Sequence, residues 1–379
     1  MTSHLTGNHS FSAKIGHIEE LDGIRGIAAL AVFFHHLSFA TIHSTPWNWT
    51  IDSLYGLSRY GLYGVDLFFV LSGYLITSIL LKDRNSKNYY HDFYWKRALR
   101  ILPLYFVSLL ADWIWFKGST GGVIVSAFFL ANFATFFHAT LEGPYWTLAI
   151  EEQFYLIWPQ FVRRLRVERL QKLALGIAVV EPILRLIATR VRHFNFDYTF
   201  FRCDGLAIGA LLACQLYWKE RKLPAAGIFS GKATAIFIFL IACVLLAAIR
   251  PLLSSPRFYM QGSALFLTAV NLCFYSLIRI TVENRGSRSL WIFRSAVLVF
   301  FGQISYCMYM SHTYVMRIYD DWRGPLAAGN TRAYSVRIVT VFGAMIVLCI
   351  VSRYCLELPF MSLRKYVLPK SAPAVKVAS

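Results

Sequence analysis

The chain has 379 residues, of which 57% are hydrophobic, 16% aromatic and only 15% charged, with a mean hydropathy of +0.50. Soluble domains run closer to 45–50% apolar and about 25% charged, so the composition argues against a soluble globule and for a polytopic membrane protein. The net charge of +18 sits in short loops between apolar segments and forms no long stripe with interleaved aromatics. That pattern argues against a nucleic-acid partner and fits the positive-inside rule, with a few loop positives left to meet an anionic substrate.

The segment before Leu21 is polar and His-bearing, with no basic and then apolar run to suggest a cleaved signal peptide. Spans are predicted near 21–43, 61–81, 99–117, 145–162, 172–192, 200–217, 233–250, 260–280, 295–318 and 334–354. A further apolar stretch covers 123–138. Loops 82–98, 163–171, 218–232 and 281–294, and the tail after Cys355, carry most of the Lys and Arg and are assigned to the cytoplasm. Loops 44–60, 251–259 and 319–333 are assigned outside. Parity then requires 99–138 to make one net crossing, with a break at Gly121-Gly122 and a re-entrant or tilted part near 118–140. The expected fold is all-α with ten crossings and both termini inside. It divides into a cytoplasmic segment 1–20, a membrane domain 21–360 and a disordered basic cytoplasmic tail 361–379. The seven cysteines contain no C-x-x-C pair and read as small buried hydrophobes; no metal site is expected.

Polar groups inside the spans carry the functional argument, because ionisable groups there are costly. Arg25 and His36 lie eleven residues apart in the first span. At about 100° per residue they share one face, about 16 Å apart along the axis. His35 is about 100° around the helix from His36. In the second span, Gly73 fits close helix packing, and Ser72 and Thr77 are expected to bond back to their own helix. Asp66 is either a solvated helix-end carboxylate or functional. Arg97 and Arg100 share a face at the cytoplasmic border, as a membrane anchor or a fork for phosphate. Thr147, Glu151, Phe154, Tyr155 and Trp158 follow helical spacing. Glu151 and Glu152 cannot share that face, so one should point into the bundle and the other toward solvent or a cation. Glu181 and Arg185, four apart, are candidates to satisfy each other. Arg202 and Asp204 open the sixth span, as partners of other buried charges or as substrate contacts. Ser305, Tyr309 and His312 follow helical spacing, with His312 read as a packing or hydrogen-bonded histidine.

In order along the chain stand Leu21-Asp-Gly-Ile-Arg25 with its spacing to His36, Gly64-Val-Asp-Leu-Phe-Phe-Val-Leu-Ser-Gly73, and Arg97-x-x-Arg100. Trp146-Thr-Leu-Ala-Ile-Glu-Glu-Gln-Phe-Tyr155, Arg202-x-Asp204 with Gly209, Gly302-x-Ile-Ser-Tyr306 and Glu357-Leu-Pro359 follow. Together, from about 18 to 365, they resemble the integral-membrane acyltransferase family 3, which modifies hydroxyls of sugars and other compounds. The family's Trp-Ser-Leu-Ser-Val-Glu is here Trp-Thr-Leu-Ala-Ile-Glu, so Thr147 keeps a hydroxyl and Ala149 lacks one. Some relatives carry a hydrolase-like domain after the spans; transfer here is expected to be completed by the membrane domain.

The resemblance implies a multi-pass inner or plasma-membrane enzyme that moves an acyl group, acetyl being the expected one, from acyl-coenzyme A to a saccharide or glycolipid hydroxyl. No permanently bound cofactor is implied. Arg97 and Arg100 would hold the donor's phosphates. His36 would act as general base or transient acyl carrier, and Arg25 would orient the donor or stabilise developing charge. Glu151, with Glu152 as the alternative, would orient the imidazole or the acceptor. Asp66, Ser72, Glu152, Arg202 and Asp204 remain substrate-binding or structural. The rival reading is a transporter or flippase for a saccharide or lipid-linked glycan.

Overall fold

The computed structural model describes residues 17–39, 56, 58–116, 119–139, 143–190, 196–220, 232–324 and 330–368. The expected tail beyond 368 and most of segments 1–20 and 44–60 lie outside the described residues. Among the described residues all regular structure is helical. The long helices are α1 (Glu19–Phe39), α2 (Gly64–Lys82), α3 (Tyr89–Trp115), α5 (Tyr145–Arg164) and α6 (Val167–Ala188), followed by α7 (Asp204–Glu220), α8 (Lys232–Ser254), α9 (Tyr259–Glu283), α10 (Ala296–Arg323) and α11 (Thr331–Ser352). A short α4 (Thr120–Ala127) lies between α3 and α5. Among the described residues five helices are long and apolar enough to cross a membrane, or up to six if a bent pair counts as one span; that pair is α10 with the short helix Arg288–Arg294 before it, bent by 48°. Other long helices carry the charges that form the site: α1 has Glu19, Glu20, Asp22 and Arg25 along its first two turns.

Local chemistry sets several of the ends. Ser295 caps α10 by accepting from the Leu298 amide, and Asn330 caps α11 by accepting from Ala333. The three acids in the first turn of α1 suit its positive dipole end. Between α3 and α5 the helix breaks within a few residues of where the sequence suggested, α3 ending at Trp115 and α4 starting at Thr120. Gly121 and Gly122 lie inside α4, whose first turn is capped by Ser119. Beyond α4, Phe129 and His138 adopt positive φ of 57° and 51°. A closed ring of side-chain bonds among Gln153, Asn132 and Thr199 fixes this segment to α5.

Two helix pairs pack at backbone distance. α1 lies against α10 and α2 against α7. A Cβ on Gly73 would come within 2.0 Å of the Leu206 carbonyl oxygen, and one on Gly209 within 2.0 Å of that of Val70. Glycine is therefore required at both, as expected for Gly73. Described residues of the basic loops assigned to one side gather at one end of the bundle. Arg84 reaches the Arg163 and Leu165 carbonyls. Lys219 pairs with Glu283 at 2.9 Å, the Gly286 amide donates to Glu20, and Arg364 meets the Lys96 carbonyl. At the opposite end Arg337 clamps Asp320 with two bonds and donates to the Leu37 carbonyl.

Candidate active site

A cavity of about 400 Å³ opens toward the basic end, between α1, α2, α3, α5 and α10. Each helix contributes residues from one face: Asp22 and Arg25 from α1, Phe68 and Ser72 from α2, Arg97 and Arg100 from α3, Ser305 and Tyr309 from α10. The predicted stripe on α5 appears as Thr147, Glu151 and Tyr155 along one wall.

The two adjacent carboxylates take different directions. Glu151 lines the cavity and accepts from the Ser72 hydroxyl at 2.8 Å. Ser72 thus bonds across to α5 and not back to its own helix, and Thr77 likewise accepts from Trp158 Nε1 at 2.9 Å. The physical reason at Ser72 is that its O–H faces the Glu151 carboxylate, a stronger acceptor than the local carbonyl. Glu152 points to the cation instead, accepting from Arg97 Nε at 2.9 Å, while the Arg97 guanidinium lies 3.3 Å from the centre of the Tyr155 ring. Arg25 donates to Ser305 Oγ at 3.2 Å and lies 3.7 Å from Asp22. Arg100 is exposed at the cavity wall. Three guanidinium groups and two carboxylates, Asp22 and Glu151, thus converge on a mostly apolar chamber, a size and make-up suited to a small-molecule site.

At the far end of the chamber, Tyr309 OH donates to Thr147 Oγ, 2.7 Å away, and Thr147 in turn donates to the Pro144 carbonyl at 2.9 Å. Tyr309 also faces Phe68, ring centres 6.0 Å apart. His36 does not line the cavity. It lies beyond this layer, its ring centre 4.8 Å from that of His312. Its Nδ1 sits 2.9 Å from the Val32 carbonyl. A carbonyl only accepts, so Nδ1 carries the proton and Nε2 the lone pair. His312 Nδ1 is held in the same way by the Tyr309 carbonyl at 2.7 Å. His35 points elsewhere, with Nδ1 3.1 Å from the Ser58 carbonyl. Arg25 and His36 have separate partners, in keeping with their separation along α1.

The remaining charges form a second network outside the cavity. Asp66 is 1% exposed and 3.2 Å from Arg202, so it is not a solvated helix-end group. Burial of the first turn of α2 against α7 forces that pairing. Asp204 pairs with Arg185 at 2.7 Å. The expected Glu181–Arg185 pair does not form. Glu181 accepts from the Cys203 and Asp204 amides at the opening of α7, the Cys203 amide also donating to the Thr199 carbonyl, and Arg185 spreads its fork over Asp204, Thr268 and the Phe201 and Ala264 carbonyls. Among the described residues no cluster of three His, Cys, Asp or Glu side chains is arranged to hold a metal ion. Sequence spacing marked Ser305, Tyr155 and Tyr309 without giving them partners. Glu357, quoted only within a motif, proves buried beside Ser352 and within electrostatic reach of Arg100 and Arg25.

Residues 18–354 match the family model described as an acyltransferase domain. The chain is 27% identical over 330 residues to a peptidoglycan O-acetyltransferase, OatA, of Listeria monocytogenes, covering 78% of this chain and 49% of that protein. It is 27% identical over 341 residues to the putative peptidoglycan O-acetyltransferase YrhL of Bacillus subtilis, covering 82% and 49%. Against a putative O-acetyltransferase of Staphylococcus aureus it is 26% identical over 347 residues, covering 83% and 54%. The chain spans about half the length of these curated relatives. No solved structure matches. A match across nearly the whole helical bundle, including every helix that lines the cavity, makes this chain a member of the acyltransferase 3 family.

Proposed function

We propose that the protein moves an acyl group, acetyl in the first instance, from acyl-coenzyme A to a hydroxyl of a cell-envelope saccharide. The observation that carries this reading is the arginine-lined chamber at the basic end, which stops at Tyr309, the residue whose carbonyl holds His312 against His36. On this reading the basic end faces the cytoplasm, where acyl-coenzyme A is made, and ten helices cross the membrane. Arg100 and Arg97 meet the donor's phosphates, with Glu152 and Tyr155 holding Arg97 flat for the purpose. The acyl arm runs along the apolar walls toward Tyr309. Arg25, tethered by Ser305 and about three turns from His36 along α1, orients the donor in the chamber. His36 Nε2, left with its lone pair, takes the proton of the acceptor hydroxyl. The relatives' names point to a cell-wall polysaccharide as the acceptor class.

A second reading has its own observation: Glu151 lines the chamber and His36 does not. Glu151 would then be the proton acceptor, and His36 a structural or relay group. Membranes incubated with radiolabelled acetyl-coenzyme A decide between them. Label should enter the saccharide fraction, and His36→Ala should lower that rate at least ~100-fold. Full activity in His36→Ala with loss in Glu151→Gln would establish the second reading. Absence of saccharide label from wild-type membranes would sink both.

A further inference from the structure

His312 has a buried nitrogen with no partner. Its Nε2 is sealed from solvent and makes no hydrogen bond, although the residue is only 1% exposed. A buried polar atom in that state is costly, and such atoms in native structures call for an explanation. The Tyr309 carbonyl fixes the tautomer, so the orphan is a lone pair, a proton acceptor with nothing to accept.

The neighbour across the helix interface is His36, and its lone pair is also on Nε2. The ring centres are 4.8 Å apart with their planes at 61°, close enough that turning the two nitrogens toward each other would bring them to an N–H···N distance of about 3 Å. Two neutral rings cannot make that bond, since neither Nε2 bears a hydrogen. One added proton makes it possible and satisfies the orphan. The surroundings offer no simpler partner. His35, 5.0 Å from His36 by ring centres, is held by the Ser58 carbonyl and lies within charge reach of Arg59. The Tyr309 hydroxyl, on the helix that bears His312, is committed to Thr147.

We propose that His312 is the positioning residue that shares the transferred proton with His36, so that the two imidazoles hold one proton between their Nε2 atoms during acyl transfer. This rests on the His36 reading of the function given above. As the acceptor oxygen bonds to the thioester carbonyl carbon, its proton passes to His36 Nε2 and is shared with His312 Nε2. The carbon–sulfur bond breaks with its electron pair on sulfur, and the pair of imidazoles returns the proton to the thiolate. The products are the ester and free coenzyme A thiol, and both histidines end neutral. Placing the acceptor half of this pair on α10 ties it to Tyr309 and hence to the end of the donor chamber.

The test uses the full chain in native membranes with radiolabelled acetyl-coenzyme A and compares His312→Ala, His312→Phe and wild type. The expected result is a turnover lowered about 30-fold or more in both variants, with the donor KM within about twofold of wild type. Added imidazole should restore His312→Ala several-fold, because the cavity left behind admits the ring, and should not restore His312→Phe. His312→Phe keeps an aromatic packing partner, and an unchanged melting temperature in detergent shows that it folds. A near-normal rate in His312→Phe, or a loss confined to donor KM, would overturn the proposal and leave His312 a packing residue. Failure of wild-type membranes to label any saccharide would instead overturn the reading on which it rests.

Discussion

Glu151 and Glu152 are chemically identical neighbours with different work to do. Glu151 faces the chamber and is held by a neutral hydroxyl, whereas Glu152 is the counter-ion of Arg97. Glu151→Gln keeps an oxygen to accept from Ser72 but removes the charge. It should leave the fold intact and lower acetyl transfer by about 10- to 100-fold, read as label incorporated per folded protein. Glu152→Gln leaves the Arg97 guanidinium in a largely buried site without its anion. It should cost on the order of 2 kcal/mol of stability, seen as a lowered melting temperature in detergent, and should raise the donor KM by loosening Arg97 over Tyr155. Helical spacing made the split between these residues legible, since adjacent positions point about 100° apart. It did not identify the partners. Nothing local in the sequence joins Asp66 to Arg202, or turns Arg185 from Glu181, four residues away, to Asp204. Those choices are made by tertiary packing, where the amides opening α7 at Cys203–Asp204 compete for Glu181.

At the scale of elements, packing at backbone distance is what brings the polar groups together. Gly73 and Gly209 let α2 and α7 meet, which buries Asp66 and Arg202 against each other. Gly209→Leu should push the helices apart and cost about 2 kcal/mol or more, with a matching fall in the detergent-resistant folded fraction. Gly343→Ala is the control: it lies exposed on α11 with open space around the position of a Cβ, and should show no loss. Gly73 was legible because a glycine in an apolar run has few other reasons to be there. The same reasoning set the break between α3 and α4 a few residues late. Gly121-Gly122 sits in a capped helical turn, and the positive φ of the segment falls on Phe129 and His138. That segment is held from outside, by Gln153 and Thr199, so its shape is a tertiary property.

For the whole molecule, charge distribution and chamber geometry make one argument. Described residues of the loops rich in Lys and Arg gather at one end, and the chamber that holds Arg25, Arg97 and Arg100 opens there. If the positive-inside rule governs this chain, a donor made in the cytoplasm enters the chamber without crossing the bilayer, and the Arg337–Asp320 end faces outward. Single cysteines placed in a background lacking the seven native ones test this with a membrane-impermeant maleimide. Lys87→Cys, in the basic loop, should react in inside-out vesicles and stay unlabelled in intact cells. Asp321→Cys, whose native side chain is 74% exposed at the opposite end, should show the reverse. Ile79→Cys, on the chamber wall and 41% exposed, should label from the same side as Lys87→Cys and be slowed by coenzyme A. Labelling of Lys87→Cys and Asp321→Cys from a single side would break the ten-crossing parity. Coenzyme A protection of Asp321→Cys in place of Ile79→Cys would put donor entry at the wrong end of the bundle, and with it the direction in which the acyl group travels from Arg100 to His36.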